Sequence, residues 1–232
     1  KKLMRLEADL YHGDKVVFTL SIEYSFYPAA LKTMVVSEQS ASYYGNENDL
    51  AVLQRFMPKL QRIKQLDAES IGNSPLLILG RDLPDDPNLV QDVLDAYTAS
   101  GGRLLVLEQN LFALGDMQLQ KIPFFSAHTS IPEHPILRGI RDDDLMFWHP
   151  CVVEERPEAI ITDCFFKSFE GDSTFVLECS AGDYADGGDL WTPLVTYKNG
   201  KGTAVFSQLR LIEHLNTVPV ACLLMRNMLG YV

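Results

Sequence analysis

Residues 88–109 read NLVQDVLDAYTASGGRLLVLEQ, and this stretch decides the fold. Leu89, Val90, Val93, Leu94 and Tyr97 recur at helical spacing, which gives a helix one apolar stripe and one polar face. Gly101-Gly102 then stops the helix, since glycine accepts the left-handed conformation that a helix C-terminus often needs. Leu104–Leu107 is too short for a helix and apolar on both faces, as in a strand buried between two helical layers. Such a strand belongs to a parallel α/β sheet, where ligands bind beyond the carboxyl ends of the strands. Here that end carries Glu108, Gln109 and Asn110.

Upstream, Thr33–Ser37 (TMVVS) predicts a first apolar strand ending at Glu38-Gln39, with Ser40–Asn48 as turn residues. Asp49 is a candidate N-cap for a helix over Leu50–Leu60 that ends or kinks near Pro58. Ile63–Leu66 and Pro75–Leu79 read as the next two strands. Pro87, with Asn88 or an aspartate as cap, opens the helix quoted above. The order is strand, helix, strand, strand, helix, strand. It predicts an α/β chain with a flavodoxin-like, doubly wound, mostly parallel sheet.

Downstream, regularity drops between Leu111 and Pro150, where Pro123, Pro132 and Pro135 punctuate the chain. Phe124, Phe125, Phe147 and Trp148 supply its apolar packing, and Asp142–Asp144 suits the cap of a short helical turn. Strands return at Ala159–Thr162, Thr174–Cys179, Leu194–Tyr197 and Thr203–Gln208, the last two joined by a connection containing Asn199-Gly200, a hairpin signal. Thr217 as cap and Pro219 near the first turn open a terminal helix through Met228, with Val220, Leu223, Leu224, Met228 and Leu229 on its buried face.

The N-terminus has a different character. Leu3–Tyr11 and Val16–Tyr27 are strand-like runs around His12-Gly13-Asp14, a short N-terminal β-hairpin. Two strands are not an independent unit, so this hairpin must pack on the α/β sheet or finish a β-sandwich whose other strands precede Lys1. The division expected is a hairpin over 1–30 and an α/β domain over 31–232.

Composition narrows the classes. The 232 residues hold 20 Lys+Arg against 31 Asp+Glu, a net charge of −11, which argues against a phosphate-tracking nucleic-acid surface and against docking on anionic lipid. No apolar run approaches the ~20 residues that span a bilayer. Cys151, Cys164, Cys179 and Cys222 lack zinc-site spacing, and the last three sit in apolar contexts that suit buried small hydrophobes. Neither a metal nor a cofactor is called for: Gly200-Lys201-Gly202 is a hairpin tip and not a phosphate loop. The chain opens at Lys1 without a signal-like segment, and it is expected to be part of a longer polypeptide.

Four segments form an ordered set: LLVLEQ after the double glycine, HPILRGIRDDDLMFWHP (134–150), PLVTYKNGKGTAVFSQLRLIE (193–213) and VPVACLLMRNMLGY (218–231). Together they resemble the class I glutamine amidotransferase-like domains found as accessory modules of large glycoside hydrolases, family 2 and β-galactosidase-type enzymes included. The resemblance covers roughly residues 33–232. It implies that the hairpin is the last of an immunoglobulin-like domain, that a catalytic barrel lies further upstream, and that the parent chain is a glycoside hydrolase, periplasmic or secreted. Its implied partners are the other domains of the parent chain, with a second copy of this chain and a carbohydrate as further candidates. The catalytic pattern of the superfamily is missing. A working member carries Gly-x-Cys-x-Gly after the central strand and His-x-Glu near the end, whereas this chain has LLVLEQNLF and Glu213-His214. The expected role is therefore non-catalytic.

Two carboxylates remain candidates for chemistry. Glu108 occupies the nucleophile's position, and Glu38, at the end of the expected first strand, would share its edge of the sheet. A pair ~5–9 Å apart is how glycosidases divide acid and nucleophile roles. Gln109, His128 and Trp148 are candidate ligand contacts, by hydrogen bonding or stacking on a sugar. The alternative for each is structural: a satisfied strand–loop junction, a solvated loop, an aromatic that holds its own loop. Tyr184, in the acidic loop 182–189, and Trp191 are candidates for a binding edge or a subunit contact.

Overall fold

Lys2–His12 (β1) and Lys15–Phe26 (β2) pair antiparallel around Gly13 (φ 62°), as the hairpin signal predicts. The computed structural model describes residues 1–81, 83, 91–110, 113–114, 117–148, 158–166, 173–181 and 189–232. After the hairpin come Ala41–Tyr44 (β3), Glu47–Leu53 (α1), Leu60–Arg62 (β4), Ala68–Ile71 (α2), Leu76–Leu79 (β5), Gln91–Ala99 (α3) and Arg103–Val106 (β6). An antiparallel section follows with Ala113–Leu114 (β7), Met117–Phe124 (β8), Ile161–Phe166 (β9), Ser173–Ala181 (β10) and Asp189–Asn199 (β11). Gly202–Ser207 (β12), Leu211–His214 (α4) and Pro219–Tyr231 (α5) complete the chain.

Five strands run parallel in the order β4-β3-β5-β6-β12. Numbered within that set, the order is 2-1-3-4-5, the flavodoxin-like arrangement. Alternate residues of each strand enter different clusters: Leu76, Ile78, Leu105 and Val205 pack with α1 and α5, while Leu77, Leu79, Leu104 and Phe206 pack with α2 and α3. The sheet is therefore covered on both faces, which is why β5 and β6 read as unbroken apolar runs.

Beyond β12 the pairing turns antiparallel through β11, β9 and β8. β11 also pairs β10, and His128, just past β8, exchanges both backbone hydrogen bonds with Glu178 of β10 (3.0 and 2.8 Å). That closes a ring of strands around Cys164, Cys179 and Trp191, all buried. Cys164, Cys179 and Cys222 are free and buried, and burial pushes the Cys164 thiol far above its usual range.

Several expectations need correction. Thr33–Ser37 is not a strand: Val36 and Ser37 donate to the Phe56 carbonyl, and Met34 and Val35 are exposed. The first parallel strand is instead ASYY, paired between β4 and β5, whose polar atoms made it look like a turn although Tyr43 is fully buried. The first helix is capped by Asn46, whose side chain accepts from the Asp49 amide (2.8 Å), so Asp49 lies inside the helix. The second strand comes three residues early, at Leu60–Arg62 in place of Ile63–Leu66. β8 was hidden by its alternating glutamines and Pro123. Thr217 is not a cap, since α5 starts from Val218 with Pro219 in its first turn. Trp191 is core and not a binding edge. Pro87, Asn88, His149, Cys151 and Tyr184 lie outside the described residues.

The Asn199-Gly200 turn has a further job. Asn199 donates to Asp95 O (3.2 Å) and Thr98 Oγ1 (3.0 Å), so the β11–β12 hairpin closes the carboxyl end of α3. A Cβ at Gly202 would lie 2.1 Å from Thr98 O, so only glycine allows this approach. Among the described residues no helix is long and apolar enough to cross a membrane.

Candidate functional site

The carboxyl ends of the parallel strands bring together residues from five segments. β3 is followed by Gly45 and β5 by Gly80, at the carboxyl ends of the two strands from which the crossovers diverge. The Tyr43 ring fills the space beneath both glycines: an added Cβ would sit 2.5 Å from its hydroxyl at Gly45 and 2.3 Å at Gly80. Burial raises the Tyr43 phenol above its usual range, so it stays protonated.

Arg81, the residue after Gly80, is gripped by Asp49 of α1, its Nε donating to Oδ2 (2.8 Å) and its Nη2 to Oδ1 (3.0 Å). Asp49 is almost wholly buried, and a bidentate guanidinium is the partner that makes a buried carboxylate tolerable. Arg81 Nη1 also donates to Glu213 Oε1 (2.9 Å), and Glu213 holds Arg210 through its other oxygen. Arg210 continues to Glu158 (3.4 Å) and the Ala159 carbonyl (3.1 Å). The result is a chain of alternating charges across the strand ends. These partners hold the Arg81 guanidinium firmly charged, with Asp49 the largest contributor.

Glu108 sits in this network at only 8% exposure. Burial pushes its carboxyl from 4.5 up to about 7. The hydrogen bond that Thr162 Oγ1 donates to Oε1 (3.1 Å) opposes the rise, the Glu213 carboxylate adds to it, and Arg210 and Arg81 oppose it. A carboxyl that exchanges its proton near neutrality has the property of a general acid or base. It also sets a linkage. Folding takes up a proton at this site, so its protonated form supports the fold fully below about pH 4.5. That support is lost as the pH rises to about 7.

The other sequence candidates fall in different places. Gln109 is 1% exposed with its amide occupied: Nε2 donates to the Gly80 (2.5 Å) and Leu107 (2.7 Å) carbonyls, while Gln109 N and O meet the Gln208 side chain at 3.0 and 2.9 Å. It ties β5, β6 and β12 together. Trp148 is buried, donates its indole N–H to Asp144 O (2.9 Å) and meets the His214 ring edge-on at 5.6 Å. His128 has a half-exposed ring 3.9 Å from the Glu178 carboxylate, at the ring of antiparallel strands. Glu38 precedes β3, at the amino end of the sheet, where its neighbour Gln39 accepts from Arg103 at the start of β6 (3.0 Å). Glu38 and Glu108 are thus on opposite edges and cannot form a catalytic pair. The residues that do act on Glu108 are Thr162, by a hydrogen bond, and Glu213, Arg210 and Arg81, by their charge. Two of them were reachable by the rule that found Glu108, because Arg81 and Arg210 also follow apolar strands. Among the described residues no group of three or more His, Cys, Asp or Glu is arranged to hold a metal ion.

No protein-family model matches the sequence and no curated protein matches it. Solved structures do show likeness. A cytoplasmic protein from Salmonella typhimurium aligns over 99% of this chain and 96% of its own, at 12% identity and a TM-score of 0.51. A ThuA-like protein from Bacteroides uniformis aligns over 88% of this chain and 93% of its own, at 11% identity and a TM-score of 0.49. A cold-adapted β-galactosidase from Rahnella aligns over 79% of this chain and 30% of its own, at 11% identity and a TM-score of 0.44. At such identities the likeness concerns the fold. Its full-length extent in the first case includes the hairpin as well as the α/β body.

Proposed function

We propose that this chain is a non-catalytic accessory or assembly module of a larger carbohydrate-active enzyme, a glycoside hydrolase, and that the hairpin is its docking element. One observation carries the docking role. The register pairs Met4 with Tyr24, Leu6 with Ile22, Ala8 with Leu20 and Leu10 with Phe18, so one face of the ribbon is apolar from Met4 to Leu10. The other face pairs Arg5 with Glu23, Glu7 with Ser21 and Asp9 with Thr19. The large side chains of the apolar face are 37% to 61% exposed. Aromatics of ~150–250 Å² and their aliphatic neighbours, half uncovered, present several hundred Å² of apolar surface. That approaches the roughly 800 Å² per partner of a standard interface, and monomers rarely leave so much open.

An apolar-in, polar-out ribbon fits the inner face of a β-sandwich, whose partner sheet has an apolar surface of its own. In this reading the partner is the rest of an immunoglobulin-like domain of the same polypeptide, and the glycoside-hydrolase assignment rests on the sequence segments quoted above. The hairpin suits such a contact electrostatically. Lys1, Lys2, Arg5 and Lys15 balance Glu7, Asp9, Asp14 and Glu23, leaving the whole −11 on the body. The test is the reading frame upstream of the Lys1 codon: a β-sandwich preceded by a (β/α)₈ barrel with two catalytic carboxylates is expected, and an initiation codon directly before Lys1 overturns the proposal.

Glu108 favours a second reading, a hydrolase or sugar-binding module at the strand ends. Its carboxyl, held near neutrality by burial and hydrogen-bonded by Thr162, is the observation behind it. This reading requires Glu108→Gln to abolish turnover of a small nitrophenyl glycoside, or to weaken sugar binding measured by calorimetry. No turnover and no saturable sugar binding by the unaltered chain would leave the accessory role alone.

A further inference from the structure

Two cavities of about 380 and about 350 Å³ adjoin along the solvent side of α5, and both are lined by Arg138, Arg226 and Asn227. The first is walled by Val35, Val36, Pro135 and Tyr231, with Gly230 of α5 at its edge. None of these residues belongs to the strand-end network around Glu108.

Charge singles out this place. Arg5, Arg62, Arg81, Arg141 and Arg210 each hold a carboxylate. Arg55 donates to Asn216 and a backbone carbonyl, and Arg103 to Gln39 and two backbone carbonyls. Among the described residues, only Arg138 and Arg226 are arginines whose guanidinium has no partner, and both line the same two cavities. In a chain of net charge −11, two unpaired guanidiniums drawn to one place leave a local positive field without a counter-charge. Lys1, which lines the second cavity, adds nothing to that field because Asp144 neutralises it at 2.7 Å.

The surroundings are built to hold those two arginines together. Asn227 Nδ2 donates to the Ile136 (2.8 Å) and Arg138 (3.0 Å) carbonyls, which pins the loop carrying Arg138 to the helix carrying Arg226. His134 packs its ring 5.1 Å from that of Tyr231, and burial lowers its basicity, so the positive charge of the groove rests on the two arginines. At Gly230 a Cβ would meet nothing within 4 Å. Glycine weakens a helix relative to alanine, yet here it leaves the helix bare where the cavity opens.

We infer that this groove binds a small organic anion, its carboxylate or phosphate held by Arg138 and Arg226 and its body resting on Val35, Val36, Pro135 and Tyr231. The planar guanidinium fork matches either oxyanion in bidentate fashion. The cavity is within the ~300–1,000 Å³ typical of small-molecule sites.

Titration calorimetry of the full chain at low salt tests this, with glucuronate, glucose 6-phosphate and glucose as probes. At least one anion is expected to saturate the site while neutral glucose does not. Glucuronate alone would assign a carboxylate, and glucose 6-phosphate alone a phosphate. Arg138→Met and Arg226→Met should each weaken that binding about tenfold or more with the circular-dichroism spectrum and thermal midpoint kept. Gly230→Glu should abolish it, whereas Gly230→Ala should leave it intact. No saturable binding of either anion, equal binding of glucose, or affinity unchanged in both folded arginine variants would overturn the inference.

Discussion

The hairpin and the parallel half of the sheet are both made of short apolar strands, yet they treat those residues in opposite ways. In β5 and β6 alternate side chains enter two cores and almost nothing apolar meets water. In β1 and β2 the alternation is just as regular, but the large side chains of the apolar face are exposed and have no cover among the described residues. Among the described residues the hairpin is tied to the body at its foot, where Arg141 binds Glu23 (2.8 Å) and Lys1 binds Asp144. The body therefore stabilises itself, while the hairpin depends on whatever covers it.

The largest effect should come from opening the body's core. Leu105→Ala, at a fully buried position on β6, is expected to cost about 2–5 kcal/mol in urea unfolding. A small loss would mean that the two regions are less different than their burial indicates. Next in size is a gain. Glu108→Gln removes a charge that is buried above pH 7, so it should stabilise the chain at pH 8 by on the order of 3 kcal/mol and have little effect at pH 4. The unaltered chain should lose stability between about pH 4.5 and 7, and the variant should lose that slope. Equal stabilisation at both pH values would show that Glu108 does not titrate as described.

Arg81→Met should destabilise by roughly 2 kcal/mol, since it strands Asp49 without its partner while Arg81 itself is partly solvated. Thermal unfolding at neutral pH measures this, and Glu108 should become still harder to ionise because Arg81 helps its charged form. Smallest of all, Leu6→Thr on the hairpin should change the stability of the isolated chain by no more than ~0.5 kcal/mol, as an exposed site does. A loss near that of Leu105→Ala would mean that the apolar face is covered in solution.

What the amino-acid order disclosed follows the same division. The stretch 88–109 showed the helix, the stop and the central strand because burial on both faces leaves an unbroken apolar run. β3 escaped because Tyr43 and Ser42 carry polar atoms into the core, while TMVVS has strand propensity but no neighbour to pair with. Glu108 was legible as a charge ending an apolar strand. Its environment was not, because Asp49, Arg81, Thr162 and Glu213 come from segments that only the crossover topology brings together. The error over Glu38 follows from β3, since moving the strand eight residues along placed Glu38 at the opposite edge of the sheet.

The unequal cover of the two regions is measured most directly by amide hydrogen exchange on the chain in dilute solution. Amides of β5, β6 and β12 should be protected to the level of global unfolding, and those of β1 and β2 should exchange with little protection, since two strands without a covering layer open locally. Hairpin amides as protected as those of β6 would contradict this account.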